Sequence, residues 1–177
     1  MPNSTSPQVF KYTEEQQEIV DYLREQLKPE GENVVVSGAG GTGKTAMLCN
    51  FIGDLIQEGY SVAATAMTGK ATAVLRNKIY TALKERGMKV PDKNVLLIET
   101  ITKLTKKSSV LGLSENGETV YSKEWRNPED FPYQILFVDE MSMVYHVASL
   151  WWQRTKARVF GFGDFCQLPE VTTAESR

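Results

Sequence analysis

The stretch GAGGTGKT, residues 38–45, constrains the fold more than any other part of the sequence. It fits the pattern G-x-x-x-x-G-K-[ST], whose structural context is a strand immediately before it and a helix immediately after it. The sequence offers both. NVVVSG, a run typical of a strand buried on both faces, precedes the stretch, and the helical pattern KTAMLCNFIGDLIQ begins at Lys44. This order favours an α/β fold built on a parallel sheet.

Strand and helix patterns alternate along most of the chain. Further strands are predicted by SVAATA, NVLLIE, QILFVD and RVFGFG. Helices are predicted by TEEQQEIVDYLREQLK with Thr13 as its N-cap, by GKATAVLRNKIYTALKER, and by the shorter VYHVASLWWQR. On that last helix we expect one of Trp151 and Trp152 to face the core and the other a partner surface. The alternation predicts a mostly parallel sheet flanked by helices.

One segment departs from this alternation. Between TKK and FPY the sequence alternates around Glu115, Asn116 and Gly117, and an Asn-Gly pair is typical of a tight hairpin turn. We therefore expect a small β-hairpin inserted at 108–130. The first residues are polar and rich in Pro and Ser, which predicts a flexible segment over 1–12 and a single domain over 13–177.

Composition excludes several classes of protein. A formal net charge of -2 excludes a globally basic nucleic-acid binder, so a nucleic-acid contact would need a local patch. One histidine and two distant cysteines, Cys49 and Cys166, argue against a zinc site and for reduced thiols inside a cell. No apolar run has membrane-spanning length, and the N-terminus lacks the apolar core of a signal peptide. We expect a cytoplasmic protein with no membrane partner.

Residues 38–45 form the expected phosphate-binding loop. Glycines let such a loop curl so that backbone N–H groups point at phosphate oxygens, and the following helix adds its dipole. Lys44 is expected to reach the β and γ phosphates, and the Thr45 hydroxyl to bind Mg²⁺. The expected nucleotide-binding residues are Gly38, Ala39, Gly40, Gly41, Thr42, Gly43, Lys44 and Thr45.

Two carboxylates follow the strand pattern ILFV. Asp139 and Glu140 would lie at the carboxyl end of that strand, where open α/β sheets bind ligands. Asp139 is expected to complete the Mg²⁺ shell, and Glu140 to act as the general base on a water molecule. The alternative for such a pair is an acidic surface cap on the next helix. Together with the loop, the pair predicts hydrolysis of ATP or GTP.

Five motifs occur in the order and rough spacing of superfamily 1 DNA helicases. They are GAGGTGKT, ATAMTGKATAVL, ETITKL, VDEMSM and GDFCQLPEV. From about Thr13 to Val171 the chain resembles the RecD-like, or Dda-like, branch of that family. The resemblance implies a RecA-like P-loop NTPase fold, ATP-driven movement in the 5′–3′ direction on single-stranded DNA, and a second RecA-like domain as partner.

The resemblance also implies roles for residues outside the loop. Gln16 matches the family's adenine-binding glutamine, which would favour ATP over GTP. The alternative for Gln16 is an exposed helix residue without a ligand. Gln167 matches a catalytic glutamine that responds to the γ-phosphate, and Asp164 would support the network of Mg²⁺ and water.

Two of the motifs imply contacts with the DNA backbone. Thr68 and Lys70 of AMTGKA, and Thr100 and Lys103 of ETITKL, would bind strand phosphates without reading the base sequence. The segment 70–107 holds ten basic and three acidic residues, as expected of a groove that follows a phosphate backbone. The alternative is a solvated, lysine-rich helix face.

Three functions are compatible with these motifs. The first is the ATP-binding first motor domain of a DNA helicase, a DNA-stimulated ATPase. We expect it to be weakly active until a second RecA-like domain, in a longer chain or a separate subunit, supplies arginines to the γ-phosphate. The second is a stand-alone ATP-dependent nucleic-acid-binding module or regulator without motor activity. The third is a P-loop enzyme of another class, such as a small-molecule kinase, which would leave TGKATAVL and GDFCQLP unexplained.

Overall fold

The main sheet is parallel, as the alternation of strands and helices predicts. The structure, a computed structural model, describes residues 9–39, 41–144 and 146–164. Its strands are β1 Val34–Ser37, β2 Val62–Ala66, β3 Leu96–Thr100, β4 Lys106–Leu113, β5 Thr119–Trp125, β6 Ile135–Val138 and β7 Arg158–Gly163. The main sheet has the order β1-β7-β6-β2-β3, with every neighbouring pair parallel, and β4 pairs with β5 in an antiparallel hairpin. The predicted fold class is confirmed.

Helices follow most of the strands of the main sheet. They are α1 Glu14–Glu25, α2 Lys44–Gln57, α3 Gly69–Glu85, α4 Ile101–Thr105 and α5 His146–Gln153. Thr13 caps α1 through a reciprocal capping box with Gln16, which confirms the predicted N-cap. The sequence patterns did not predict α4, because five residues are too few to show a helical period.

Alternation of side chains along the central strands divides the core into two layers. Ile135 and Phe137 of β6 pack on the face covered by α1, α2 and α3. Leu136 and Val138 point to the other face, where α4 and α5 cover them. The side-chain period of two therefore gives a three-layer α/β/α arrangement, in which β6 and β7 lie in the middle of the sheet.

The first strand differs from its prediction. NVVVSG predicts a strand buried on both faces, but β1 lies at the edge of the sheet and Val35 is 48% exposed. Only Val36 of this strand belongs to the buried core. The prediction was wrong because a β-branched run specifies strand structure, while burial on the second face depends on the position of the strand in the sheet.

The two adjacent tryptophans also differ from the prediction. Trp151 and Trp152 are both buried, with 6% and 2% of their surface exposed, so neither presents its ring to a partner. The Trp151 indole N–H donates to the Arg126 carbonyl at 2.6 Å, and its ring meets Phe131 edge to face. Trp151 and Trp152 therefore share the buried face of α5 with Ala148, and Trp151 lies beneath the segment that follows the hairpin.

The hairpin turns where the sequence predicts it. Gly117 has φ of 80°, and its N–H donates to the Ser114 carbonyl at 2.9 Å. A register shift interrupts the pairing between Val110 and Gly112. The hairpin exposes several apolar side chains, among them Leu111 at 68% and Tyr121 at 61%. The strand pair therefore projects from the body of the domain as a short, largely solvated arm.

A polar cluster joins the three helices on one face. The Arg86 guanidinium crosses α2, donating to the Asp54 carboxylate at 2.5 Å and to the Asn50 carbonyl at 2.8 Å. It passes over Gly53, where a Cβ would lie 2.9 Å from its Nε atom. Only a glycine at this position of α2 leaves room for the guanidinium in its present place. The cluster fixes the end of α3 against α2.

The same cluster extends to the start of α1. The Tyr12 hydroxyl donates to Asp54 at 2.6 Å, and Arg24 of α1 forms an ion pair with Glu58 at 2.7 Å. Burial, reinforced by the hydrogen bond to Asp54, raises the pKa of the Tyr12 phenol well above its usual value. The phenol is therefore a hydrogen-bond donor throughout the physiological pH range.

No helix within the described residues is long and apolar enough to cross a membrane.

Replacing Arg86 by alanine should lower the free energy of unfolding by about 2 to 3 kcal/mol, because the Asp54 carboxylate and the Asn50 carbonyl lose a nearly buried charged partner. The measurement is chemical denaturation followed by far-UV circular dichroism. The matched control is Arg154→Ala, at an exposed arginine, which should change the value by less than about 0.5 kcal/mol. Equal losses in the two variants would contradict the role given to the cluster.

Candidate nucleotide and nucleic-acid site

The order of the strands determines the order of the candidate site residues. All five strands of the main sheet are parallel, so their carboxyl ends lie along one side of the sheet, which we call the carboxyl edge. The residues that follow the strands leave the sheet there. Along this edge come the phosphate loop after β1, Asp164 after β7, Asp139 after β6, Thr68 after β2 and Thr100 at the end of β3. Strands lie about 4.8 Å apart, so the loop and Thr100 are separated by about 19 Å. The candidate nucleotide residues lie at one end and the candidate DNA contacts at the other.

The phosphate loop has the backbone that its glycines predict. Gly41 and Gly43 have φ of 81° and 78°, in the left-handed region that residues with a Cβ rarely adopt. Gly43 is the N-cap of α2, so Lys44 and Thr45 are the first helical residues. The Gly38 N–H donates to the Gly163 carbonyl at 3.3 Å, which joins the start of the loop to the end of β7. Gly40 lies outside the described residues.

The Lys44 side chain lies within the loop. Its ammonium group donates to the carbonyl of Gly38 and to that of Ala39, the second at 2.7 Å. The Thr42 hydroxyl donates to the Ala39 carbonyl at 2.9 Å and lies 3.4 Å from the Lys44 ammonium. The lysine thus places a positive charge at the centre of a glycine-rich curl, as a phosphate-binding loop requires.

Gln16 lies against the loop. Its Oε1 atom accepts from the Thr13 N–H at 3.1 Å, as part of the α1 capping box, and its Nε2 atom donates to the Gly43 carbonyl at 3.3 Å. A Cβ at Gly43 would lie 2.8 Å from this Nε2 atom. The amide therefore spans the start of α1 and the start of α2.

The two carboxylates at the end of β6 have different environments. The Asp139 N–H donates to the Thr65 carbonyl of β2 at 2.9 Å, which holds the residue at the edge of the sheet. Glu140 follows with φ of 51° and ψ of 44°, the left-handed conformation, and is the one described non-glycine residue with positive φ. Its N–H donates to the Asp139 carboxylate at 3.0 Å. Such a conformation is costly for glutamate and is concentrated at functional sites.

The charge on Asp139 is opposed by its surroundings. Burial raises the pKa of this carboxyl group, and the neighbouring Glu140 carboxylate acts in the same direction. The Glu140 N–H and the ammonium groups of Lys78 and Lys44 act in the opposite direction but do not cancel the effect. A half-buried carboxylate with a raised pKa gains more from a nearby cation than an exposed one does.

A cleft of about 650 Å³ brings most of the predicted nucleotide residues together. The predicted residues that line it are Gly41, Thr42, Gly43, Lys44, Thr45, Asp139, Glu140 and Asp164. The volume suits a ligand of nucleotide size. The Thr45 hydroxyl and the Asp139 carboxylate are hard oxygen donors, the kind that fits Mg²⁺. Gln167 lies outside the described residues, and Gln16 touches the loop without lining the cleft.

A smaller cleft of about 320 Å³ adjoins the first and contains two of the predicted DNA contacts. Thr68 and Lys70 line it, together with Thr45, Asp139 and Glu140. The Thr68 hydroxyl accepts from the Ala71 N–H at 3.1 Å and is the N-cap of α3. The predicted strand-binding motif at the start of α3 is therefore next to the nucleotide cleft.

The second predicted DNA motif lies further along the edge. The Thr100 hydroxyl caps α4 by accepting from the Lys103 N–H at 3.4 Å, and the Lys103 ammonium lies 3.6 Å from the Glu99 carboxylate. Lys103 lines a separate cleft of about 770 Å³ at the base of the hairpin. Basic and aromatic residues share that cleft: Lys103, Lys106, Lys107, Arg126, Trp125 and Tyr133. The Lys106 ammonium lies 4.5 Å from the centre of the Trp125 ring.

Comparison with known proteins identifies the family. A profile described as an AAA domain matches residues 16–173. The chain belongs to the AAA domain family. The match covers the loop, both carboxylates and both candidate DNA motifs. No curated protein sequence matches the chain.

Two solved terminase structures share the fold of this AAA domain. The HK97 bacteriophage large terminase superposes with a TM-score of 0.54 at 11% identity, over 89% of this chain and 34% of the terminase. The large terminase from a thermophilic bacteriophage gives 0.54 at 13%, over 87% of this chain and 39% of the other. The Pif1 helicase from Candida albicans gives 0.46 at 18%, over 91% and 34%. The AAA domain thus spans little more than a third of each terminase.

Two features of the site are not apparent in the sequence. Lys78 of α3 lines both the nucleotide cleft and the adjoining cleft, although its sequence context indicates no role beyond the basic segment. Its spacing of eight residues from Lys70 would place both lysines on one helix face. The second feature is the close packing of Met141 on Gly161 of β7. A Cβ on Gly161 would overlap the Met141 sulfur. Met141 directly follows Glu140, so this glycine accommodates the turn that carries the carboxylate.

Gly161→Ala should therefore displace Met141 and lower the free energy of unfolding by about 1 to 3 kcal/mol, as overpacking does. In a Met141→Ala background the same substitution should cost less than half as much, because the overlapping side chain is gone. The four proteins of this double-mutant cycle are compared by urea denaturation. Additive effects would show that Gly161 is required for another reason.

Proposed function

We propose that this AAA domain binds and hydrolyses ATP. One observation carries the proposal: a single cleft joins a lysine and a threonine at the start of α2 to Asp139 and to the conformationally strained Glu140. A glycine curl with two left-handed residues supplies backbone N–H groups for phosphate oxygens. The alternative interpretation of the two carboxylates is an acidic surface cap on the next helix. Such a cap would not need to share a cleft with the phosphate loop.

Each residue of the cleft has a separate task in the proposed reaction. Lys44 turns from the loop carbonyls to the β and γ phosphates, and Thr45 and Asp139 would hold Mg²⁺, which would screen the phosphate charge. Glu140 accepts a proton from water as the water oxygen attacks the γ-phosphorus. The bond between that phosphorus and the bridging oxygen breaks, and ADP leaves with the electron pair. Asp164, in the same cleft, orders the water.

Preference for ATP is assigned to Gln16. This amide reaches the phosphate loop through Gly43, and an amide can satisfy both the donor and the acceptor edge of adenine. Adenine would replace the Thr13 and Gly43 partners of the side chain. Gln167, which follows β7 in the sequence, is proposed as the group that responds to the γ-phosphate.

We also propose that single-stranded DNA binds to the part of the carboxyl edge of the sheet that follows β2 and β3. Thr68 and Lys70 adjoin the nucleotide cleft, and the cleft at the base of the hairpin combines lysines and Arg126 with the half-exposed Trp125. Positive charge attracts the backbone, and aromatic rings stack on bases irrespective of their identity. These contacts suit a strand that is bound without regard to sequence.

More specifically, we propose that the chain is the first motor domain of a DNA helicase that moves 5′–3′. The motif resemblance supports this proposal. A second RecA-like domain would supply arginines to the γ-phosphate. Among the described residues no arginine lines the nucleotide cleft, and Arg158 lies at the opposite edge, donating to the carbonyl groups of Gly31 and Lys28. Slow turnover by this chain alone is therefore expected.

Substitutions in the cleft should separate nucleotide binding from hydrolysis. Lys44→Ala should weaken binding of a fluorescent ATP analogue about tenfold or more, because a direct phosphate contact is lost. Glu140→Gln should leave binding within about threefold of the wild-type value while lowering turnover about 100-fold. Binding is measured by fluorescence with Mg²⁺, and turnover by release of phosphate with and without single-stranded DNA.

The control for this pair is Lys156→Ala, an exposed lysine before β7 at the opposite edge of the sheet. It should match the wild type in both assays. Absence of nucleotide binding by the wild-type chain would refute the proposed function. DNA binding that depends on ATP, with turnover that DNA never stimulates, would instead favour the stand-alone regulator over the motor domain.

Strand binding should depend on the lysines of the edge. Lys70→Ala and Lys103→Ala should each weaken binding of a labelled oligonucleotide several-fold, equally for mixed, purine and pyrimidine sequences, and reduce its dependence on salt. Fluorescence anisotropy at several salt concentrations measures both effects, with Lys156→Ala as the control. A loss confined to one sequence would contradict a phosphate contact.

A further inference from the structure

Lys78 connects the two clefts at the carboxyl edge of the sheet. It lines the nucleotide cleft with Lys44 and Asp164, and it lines the adjoining cleft with Thr68 and Lys70. Its side chain is exposed, and within the described residues no acidic group forms an ion pair with it. The helix below it is fixed by buried residues such as Leu75 and Ile79. An exposed cation thus projects from a well-packed support.

The neighbours of Lys78 show which end of the nucleotide cleft it occupies. Thr45, Asp139 and Glu140 line both clefts, as Lys78 does, whereas Gln16 lines neither. The ammonium group is therefore on the side of the metal-binding and general-base candidates, away from the start of α1.

The charges of the cleft favour a second cation at that end. Its lining side chains include three carboxylates, Asp139, Glu140 and Asp164, and two ammonium groups, Lys44 and Lys78. A terminal phosphate that approaches Glu140 brings further negative charge to the acidic side of the cleft. Lys44 contacts the Gly38 and Ala39 carbonyls, and in the proposed reaction it serves both the β and the γ phosphate. Lys78 is the remaining described cation of the cleft that can offset this charge.

We propose that Lys78 is a second phosphate-binding cation of the nucleotide site, which contacts the terminal phosphate of a bound triphosphate. The inference rests on the proposed function and specifies how that site distinguishes ATP from ADP. Because Lys78 lies about 12 Å along α3 from Lys70, a contact with the terminal phosphate would also pull on the helix that carries the strand-binding motif.

Equilibrium binding tests this role without requiring turnover. Lys78→Ala should weaken binding of ATPγS about tenfold in the presence of Mg²⁺ and leave the affinity for ADP within about twofold of wild type, because ADP lacks the third phosphate. Lys78→Arg should recover most of the affinity for ATPγS, since it keeps the charge. Competition against a fluorescent nucleotide measures both ligands, and Lys156→Ala should match wild type for each.

Each other outcome has a definite meaning. Unchanged binding of ATPγS, or equal losses for ATPγS and ADP in a Lys78→Ala protein of normal unfolding free energy, would overturn the inference while leaving the proposed function intact. Weaker oligonucleotide binding with unchanged ATPγS binding would assign Lys78 to the DNA backbone, and would overturn it as well. A wild-type chain that binds neither nucleotide would refute the proposed function, and the inference with it.

Discussion

The candidate site depends on the parallel pairing of the sheet, because that pairing brings the ends of five strands to one edge. β7 lies between β1 and β6, and it is hydrogen-bonded to both. The Gly38 N–H donates to the Gly163 carbonyl, and the Asp139 N–H donates to the Thr65 carbonyl, so the backbone hydrogen bonds of the sheet extend into the candidate site residues. Backbone geometry, and not side-chain contact, thus sets the spacing between the phosphate loop and the carboxylates.

Threonine hydroxyls cap two of the helices that start at this edge. Thr68 and Thr100 cap α3 and α4, and both belong to motifs whose resemblance implies DNA contacts. A hydroxyl that accepts from a helix N–H still has a proton to donate, so capping and a phosphate contact can coexist. The cap also orients the first turn of the helix, whose free N–H groups attract anions. A structural and a recognition task can therefore share one atom.

Local patterns predicted the fold and the loop well. Apart from α4, which is too short to show a helical period, the failures involve contacts distant in sequence. The run RVFGFG predicted the full extent of β7, and Asn116-Gly117 predicted the hairpin turn. The exposure of Val35 follows from the order of strands, which no local pattern encodes. The fit of Met141 over Gly161 and the position of Lys78 likewise depend on elements that meet only in the folded chain.

If Glu140 is the general base of the proposed function, the stability and the chemistry of this domain make opposite demands on one residue. Its left-handed backbone would be relaxed by glycine and tolerated by asparagine, so selection for stability alone would replace the glutamate. Selection for hydrolysis would retain it, since neither replacement accepts a proton. Relatives that have lost hydrolysis but kept nucleotide binding are therefore expected to drift at this position first, towards the residues that the backbone prefers.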